Sequence, residues 1–216
     1  MNLSELISSV RFRLDEEFPG LWRDSDIKTA LNIADRELYD VYCYINPQHF
    51  ISKRQVTIPA DTVETTWSTL DNNLADLRLI ALINDVTNST RGQPVTLARS
   101  FKEMFYDSAS IYAVVQLGSD RFRIKPTPST ARTWDVYYVP APSTMSASSD
   151  TPNCPVFTHD YIALKAAVLC LQQKHLPHEP FTAELTALRD AADMRLRGGL
   201  YRSQPQVINV IKRGGA

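Results

Sequence analysis

Residues 118–142, GSDRFRIKPTPSTARTWDVYYVPAP, decide how the middle of the chain folds. Arg121, Arg123 and Lys125 alternate with Phe122 and Ile124. Successive side chains of a strand point to opposite faces, so this spacing sets three cations on one face and two apolar groups on the other. Trp134, Val136 and Tyr138 alternate with Asp135 and Tyr137 in the same manner. Pro and Ser between the two runs supply turn chemistry, and the stretch reads as two strands with one wet and one packed face.

Working outward from it, further strands are expected at Gln55–Ile58, Leu77–Ile83 and Tyr112–Gln116, beside Arg121–Lys125 and Trp134–Val139. The pair flanking Leu117-Gly118-Ser119-Asp120 has the form of a hairpin, and a short helix is expected near Ser100–Tyr106. On both sides of this region the periodicity changes to that of helices. Leu3, Leu6, Ile7, Val10 and Leu14 share a face, with Asn2 as N-cap and Glu5 three residues later. Pro19-Gly20 ends that run; Asp24 or Ser25 caps a second, whose apolar positions are Ile27, Leu31, Ala34, Leu38 and Val41. A short turn between them makes an antiparallel pair.

Residues 140–155, PAPSTMSASSDTPNCP, hold four prolines, four serines and one charge, the composition of an extended surface linker. Beyond it, Tyr161, Ile162, Leu164, Ala167, Val168, Cys170 and Leu171 cover nearly the whole circumference of a helix, which is therefore buried. An amphipathic helix over Phe181–Leu196 follows, with Gly198-Gly199 as its stop. The remaining LYRSQPQVINVIKRGGA is an apolar tail that suits addition to a neighbour's sheet or groove, or is a frayed terminus.

The fold class expected is thus α+β: a helical bundle made from N- and C-terminal helices, an inserted small antiparallel β module, and an extended C-terminal arm. Its divisions are a helical hairpin over 1–50, the β module over 51–140, a linker over 141–156, the C-terminal helices over 157–199 and the arm over 200–216.

A formal charge of −1 gives the whole chain no preference for polyanions, which argues against a dedicated DNA-coating protein. Charge is nonetheless uneven along the chain. Residues 1–40 carry nine acids against five bases, whereas after Asp193 there are no acids but Arg195, Arg197, Arg202, Lys212 and Arg213. One copy's basic end is suited to an acidic surface on a neighbour or partner. Cys43, Cys154 and Cys170 form no CxxC pair and are odd in number, pointing to a reducing compartment. No apolar run approaches signal-peptide or membrane-span length, so a soluble chain without membrane contact is expected.

Signatures of catalysis are missing: there is no phosphate loop, GxGxxG, GxSxG or HExxH. His175, His178 and Glu179 lie close together but lack a clear third ligand, and read as a solvated helix end rather than a metal site. Cys170 and His159, eleven residues apart on one helix, are separated by roughly 16 Å, too far to act together. Asp15-Glu16-Glu17 reads as a solvated helix end, and Trp22 as a staple over the turn. Neither a cofactor nor a catalytic residue is expected. The row Arg121, Arg123, Lys125 is either a phosphate contact or a solvated or inter-subunit face, partly neutralised if Asp135 pairs beside it.

Four segments, in this order, carry a resemblance: LWRDSDIKTALNIADREL (21–38), RQVTIPADT (54–62), RFRIKPTPSTARTWDVYYVPAP (121–142) and HDYIALKAAVLCL (159–171). Together they resemble the head-to-tail adaptor (connector) proteins of tailed bacteriophages. The resemblance implies a non-enzymatic virion protein of the neck, assembled in the host cytoplasm. It also implies a twelve-copy homo-oligomeric ring docked on the phage portal protein, extending the channel for DNA that passes without sequence specificity, and offering a platform to the tail or nozzle protein. By position and character the arm residues Leu200, Tyr201, Arg202, Val207, Ile208, Val210 and Ile211 would then be portal-binding, and Arg121, Arg123 and Lys125 a channel or inter-subunit face. The alternatives are another head-closure or tail-completion protein, or a nucleic-acid-binding module using residues 121–125.

Overall fold

The computed structural model describes residues 1–16, 20–88, 92–98, 112–118 and 120–203. The chain divides into two units: residues 1–46 with 143–216, and residues 47–142.

In the first unit, α1 (Leu3–Arg13) starts at the expected capping box: Asn2 accepts the Glu5 amide at 2.9 Å, and the Glu5 carboxylate accepts the Asn2 amide at 2.9 Å. Helix α2 (Asp24–Ile45) has Arg23 as its N-cap, not Asp24 or Ser25 as expected, and the Asp26 carboxylate turns back to accept the Arg23 amide at 3.3 Å. Its buried face carries Ile27, Leu31, Ala34, Leu38, Tyr39 and Tyr42. Helix α4 (His159–Gln173) packs against both α1 and α2, and its buried residues do run nearly all the way round, from Ile162 through Ala166 to Leu171.

Helix α5 (Pro180–Ser203) corrects the expected chain end. Gly198-Gly199 does not stop it, and Leu200, Tyr201 and Arg202 lie within the helix rather than at the start of an extended arm. Each glycine costs an interior helix about 1 kcal/mol but keeps its backbone donor and acceptor, so a helix continued by Leu, Tyr and Arg can run through the pair. Val207, Ile208, Val210 and Ile211 lie outside the described residues, as does the short helix expected near Ser100–Tyr106.

The second unit is a seven-stranded sheet in the order β1-β7-β3-β4-β5-β6-β2. Its strands are β1 (Ser52–Ile58), β2 (Glu64–Thr66), β3 (Leu77–Asp85), β4 (Gln93–Ala98), β5 (Ala113–Gln116), β6 (Arg121–Lys125) and β7 (Arg132–Pro140). The sheet is mixed rather than antiparallel, because β4 and β5 pair in parallel. A parallel pair needs a crossover of a dozen or more residues, and 99–112 are long enough to supply one. The hairpin is where it was expected, with Gln116 opposite Phe122 and Ala113 opposite Lys125. Val56, Ile58, Leu74, Ile83, Val114, Phe122, Ile124, Trp134, Val136 and Tyr138 form the core together with Trp67 of α3 (Trp67–Leu70), whose ring stacks on Phe122 at 3.8 Å.

Candidate interaction surfaces

The alternation in β6 is realised: Phe122 and Ile124 are buried while Arg121, Arg123 and Lys125 are exposed. What neutralises the row differs from expectation. Asp135 is not beside it, because β7 pairs with β1 and β3 and not with β6. The Asp135 carboxylate instead meets Lys53 Nζ at 2.7 Å and accepts Gln55 Nε2 at 3.1 Å, both from β1. The strand beside the cations is β2, where Glu64 stands opposite Arg123 and its carboxylate reaches Arg121 Nη1 at 3.3 Å. Both Arg121 and Glu64 are substantially exposed, so this pair contributes at most about 1 kcal/mol. A second carboxylate fixes the turn before the row: Asp120 accepts both the amide and the hydroxyl of Ser68, tying the β5–β6 connection to α3.

The Pro/Ser-rich segment is fastened down, not an extended surface linker. Asp35 of α2, 2% exposed, accepts the Asn153 amide at 3.0 Å, Asn153 Nδ2 at 2.6 Å and the Cys154 amide at 3.2 Å. One turn earlier on the same helix, Asn32 accepts the Met145 amide at 2.8 Å and donates to its carbonyl at 3.1 Å, and Met145 is buried. These partners are 113 to 119 residues apart in sequence, which is why composition alone reads as linker.

The α1–α2 turn is likewise built. Glu16 is not a solvated helix end: its carboxylate accepts the Gly20 amide at 2.8 Å and the Leu21 amide, and pairs with Arg11 Nη1 at 3.1 Å. Burial acts to raise its pKa, but the backbone amides of Leu21, Gly20 and Trp22 outweigh it and hold the group below the usual carboxylate range. Arg11 also reaches Asp24 at 2.6 Å. Trp22 is buried, and its Nε1 donates to the Cys170 carbonyl at 3.3 Å, so it anchors the turn to α4.

His159 does not approach Cys170 as a partner. Its Nδ1 accepts from the Met1 amino group at 2.8 Å and its Nε2 donates to the Cys154 carbonyl at 3.3 Å. Burial first, and the amino group's positive charge second, push its pKa down. Cys170 and Cys154 are buried thiols whose pKa values are raised by desolvation, that of Cys170 to about 11, which leaves both poor nucleophiles. His178 faces Gln172 at 3.2 Å, and no group of three or more metal-ligating side chains occurs among the described residues. No helix among them is long and apolar enough to cross a membrane.

What the first unit does present is large apolar side chains to solvent: Phe12 (87% exposed), Tyr44 (90%), Val156 and Met194 (68%), with Leu21 half-exposed. Single apolar side chains on a folded surface are ordinary, and only a contiguous patch marks a site for a partner. Residues 1–206 match the model of a family described as the SU10 adaptor protein. The chain belongs to the SU10 adaptor protein family. No curated protein matches the sequence. Family membership agrees with the bacteriophage adaptor resemblance at its coarse level, a structural component that assembles with other virion proteins.

Proposed function

We propose that this chain is a head-to-tail adaptor of the virion neck. Twelve copies close into a ring, dock on the phage portal protein, extend the channel through which DNA passes without sequence specificity, and give the tail or nozzle protein its platform. The observation that carries this reading is the adaptor-family match over residues 1–206. The terminal helices form the subunit bundle, and Leu200, Tyr201, Arg202, Val207, Ile208, Val210 and Ile211 reach the portal. Arg121, Arg123 and Lys125 form a channel or inter-subunit face. Glu64 beside this row supports a face over which DNA slides, since an undiluted basic row holds phosphates electrostatically.

Co-sedimentation with purified portal rings tests the reading. The full chain is expected to pellet with the rings, and a version with Val207, Ile208, Val210 and Ile211 replaced by Ser is expected to stay in the supernatant with its melting temperature unchanged. A quadruple variant that still binds the portal overturns the assignment of the arm, and a wild-type chain that ignores the portal overturns the adaptor reading itself.

A further inference from the structure

We infer that α5 is a releasable arm: it undocks from α2 and α4 as one helix, pivoting at Pro177, while the rest of the helical unit stays folded. This motion is separate from the adaptor reading and stands or falls without it.

A helix in a folded unit is held mainly by the apolar face it packs away. Helix α4 buries nine of its 15 residues, from His159 to Leu171. Among the described side chains of α5, residues 180–197, only Ala192 and Leu196 are buried; Phe181, Leu185 and Leu188 are half-buried and Met194 is 68% exposed. Gly198 and Gly199 lie inside its span as well, and each weakens a helix.

The polar contacts of α5 add little. Arg13 Nη1 meets the Glu184 carboxylate at 2.7 Å, but Glu184 is half-exposed, and such pairs are weak in water. Asn46 Nδ2 donates to the Leu196 carbonyl at 3.4 Å, beyond the ordinary length of such a bond. At the same contact Tyr42 Oη, Asn46 Oδ1 and Asp193 Oδ1 are cut off from water and make no hydrogen bond among the described residues. Burial first, and the Asp193 carboxylate second, push the Tyr42 pKa up, so these two groups face each other without a hydrogen bond of ordinary geometry. Polar atoms stranded in this way destabilise the state that buries them. Undocking returns them to water, so it relieves a penalty that exists only in the docked state.

The pivot falls in a defined place. On one side the Leu176 amide closes the end of α4 on the Leu171 carbonyl at 2.9 Å. On the other the Phe181 amide starts α5 by bonding to the His178 carbonyl at 3.1 Å. Pro177 lies between the two closures and has no amide to bond, and hinges form where a few connecting residues take up the change of backbone angle. The contact of His178 with Gln172 across it, at 3.2 Å, is exposed to water.

Hydrogen exchange of the full-length protein, read by mass spectrometry, tests this. Amides of residues 181–196 are expected to exchange at least about a hundredfold faster than those of 159–173, yet at least about tenfold slower than in the unfolded chain, as a helix that docks and opens on its own should. Tyr42→Phe with Asp193→Leu removes two of the three stranded atoms, and is expected to slow exchange in α5 about tenfold while leaving α4 unchanged. A thermal melt checks each variant for folding, and Tyr42→Phe alone, which keeps the shape of the ring, is expected to act in the same direction. Exchange of α5 at the rate of α4, or at the unfolded-chain rate, would overturn the inference. So would variants that leave α5 unchanged or slow α4 as much as α5.

Discussion

Replacing Asp35 with Ala removes one carboxylate that holds the 143–154 segment to α2. Three donors lose their acceptor: the Asn153 amide, Asn153 Nδ2 and the Cys154 amide. Hydrogen bonds to a charged group contribute about 1.5–3 kcal/mol each, and a buried donor left without a partner costs about 1–3 kcal/mol. Asn153 Nδ2 keeps the Ser143 carbonyl at 2.8 Å, so the two backbone amides bear the loss. Removing the carboxylate also relieves its own desolvation, which offsets several kcal/mol of the gross sum. The net destabilisation expected is about 3 kcal/mol, equivalent to a urea midpoint lower by about 1.5 M at a slope of about 2 kcal/mol per M. Asp35→Asn keeps the volume and one acceptor oxygen, and should lose about half as much. Urea unfolding followed by far-ultraviolet circular dichroism measures both, with the slope checked for constancy. An Ala variant within about 0.5 kcal/mol of wild type would refute the argument, since that is the range of a surface substitution.

Other perturbations have equally definite outcomes. Trp67→Ala removes a fully buried indole stacked on Phe122 and should cost about 3–5 kcal/mol, read as loss of the folded β unit in a thermal melt. Changing Arg121, Arg123 and Lys125 together to Ser removes the exposed Arg121–Glu64 pair, which by itself contributes no more than about 1 kcal/mol. Portal binding should survive that triple change, whereas a nucleic-acid module would lose DNA affinity and salt slope, which titration over salt concentration resolves. Lowering pH below 6.5 should destabilise the chain. Burial depresses the His159 pKa, so the unfolded state takes up its proton first and binds more protons than the folded one across that window, whereas above it the contribution is fully present. His159→Gln should flatten that acid limb. At the alkaline side the raised thiol pKa values work in the opposite direction: above about pH 9 the unfolded chain ionises its cysteines while folded Cys170 stays protonated until about 11, so stability falls with rising pH.

Strong local signals carried the legible part of the fold. Arg121–Lys125 has strict alternation and the strand has those bounds; Asn2 and Glu5 form the capping box their spacing announces. Strand β2 was missed because Glu64-Thr65-Thr66 is three polar residues, shorter than any periodicity can register. Strand β4 carries Pro94 at its second position, which demotes a run in any sequence reading. The linker and the α1–α2 turn were misjudged for a different reason. Asp35 and Glu16 look like ordinary acids of an amphipathic helix, and only the fold reveals that the first meets amides 118 and 119 residues away and the second caps a tight turn. At the basic row, the exposed face was legible from residues 121–125, but its neutralising partner was not, because which strand pairs with β6 is a property of topology.

Electron microscopy of the purified chain mixed with portal rings tests the adaptor reading most directly. A closed ring of identical copies seated coaxially on the portal, with its channel continuous with the portal channel, is the predicted image. Bare portal rings beside dispersed single copies of the chain would contradict it.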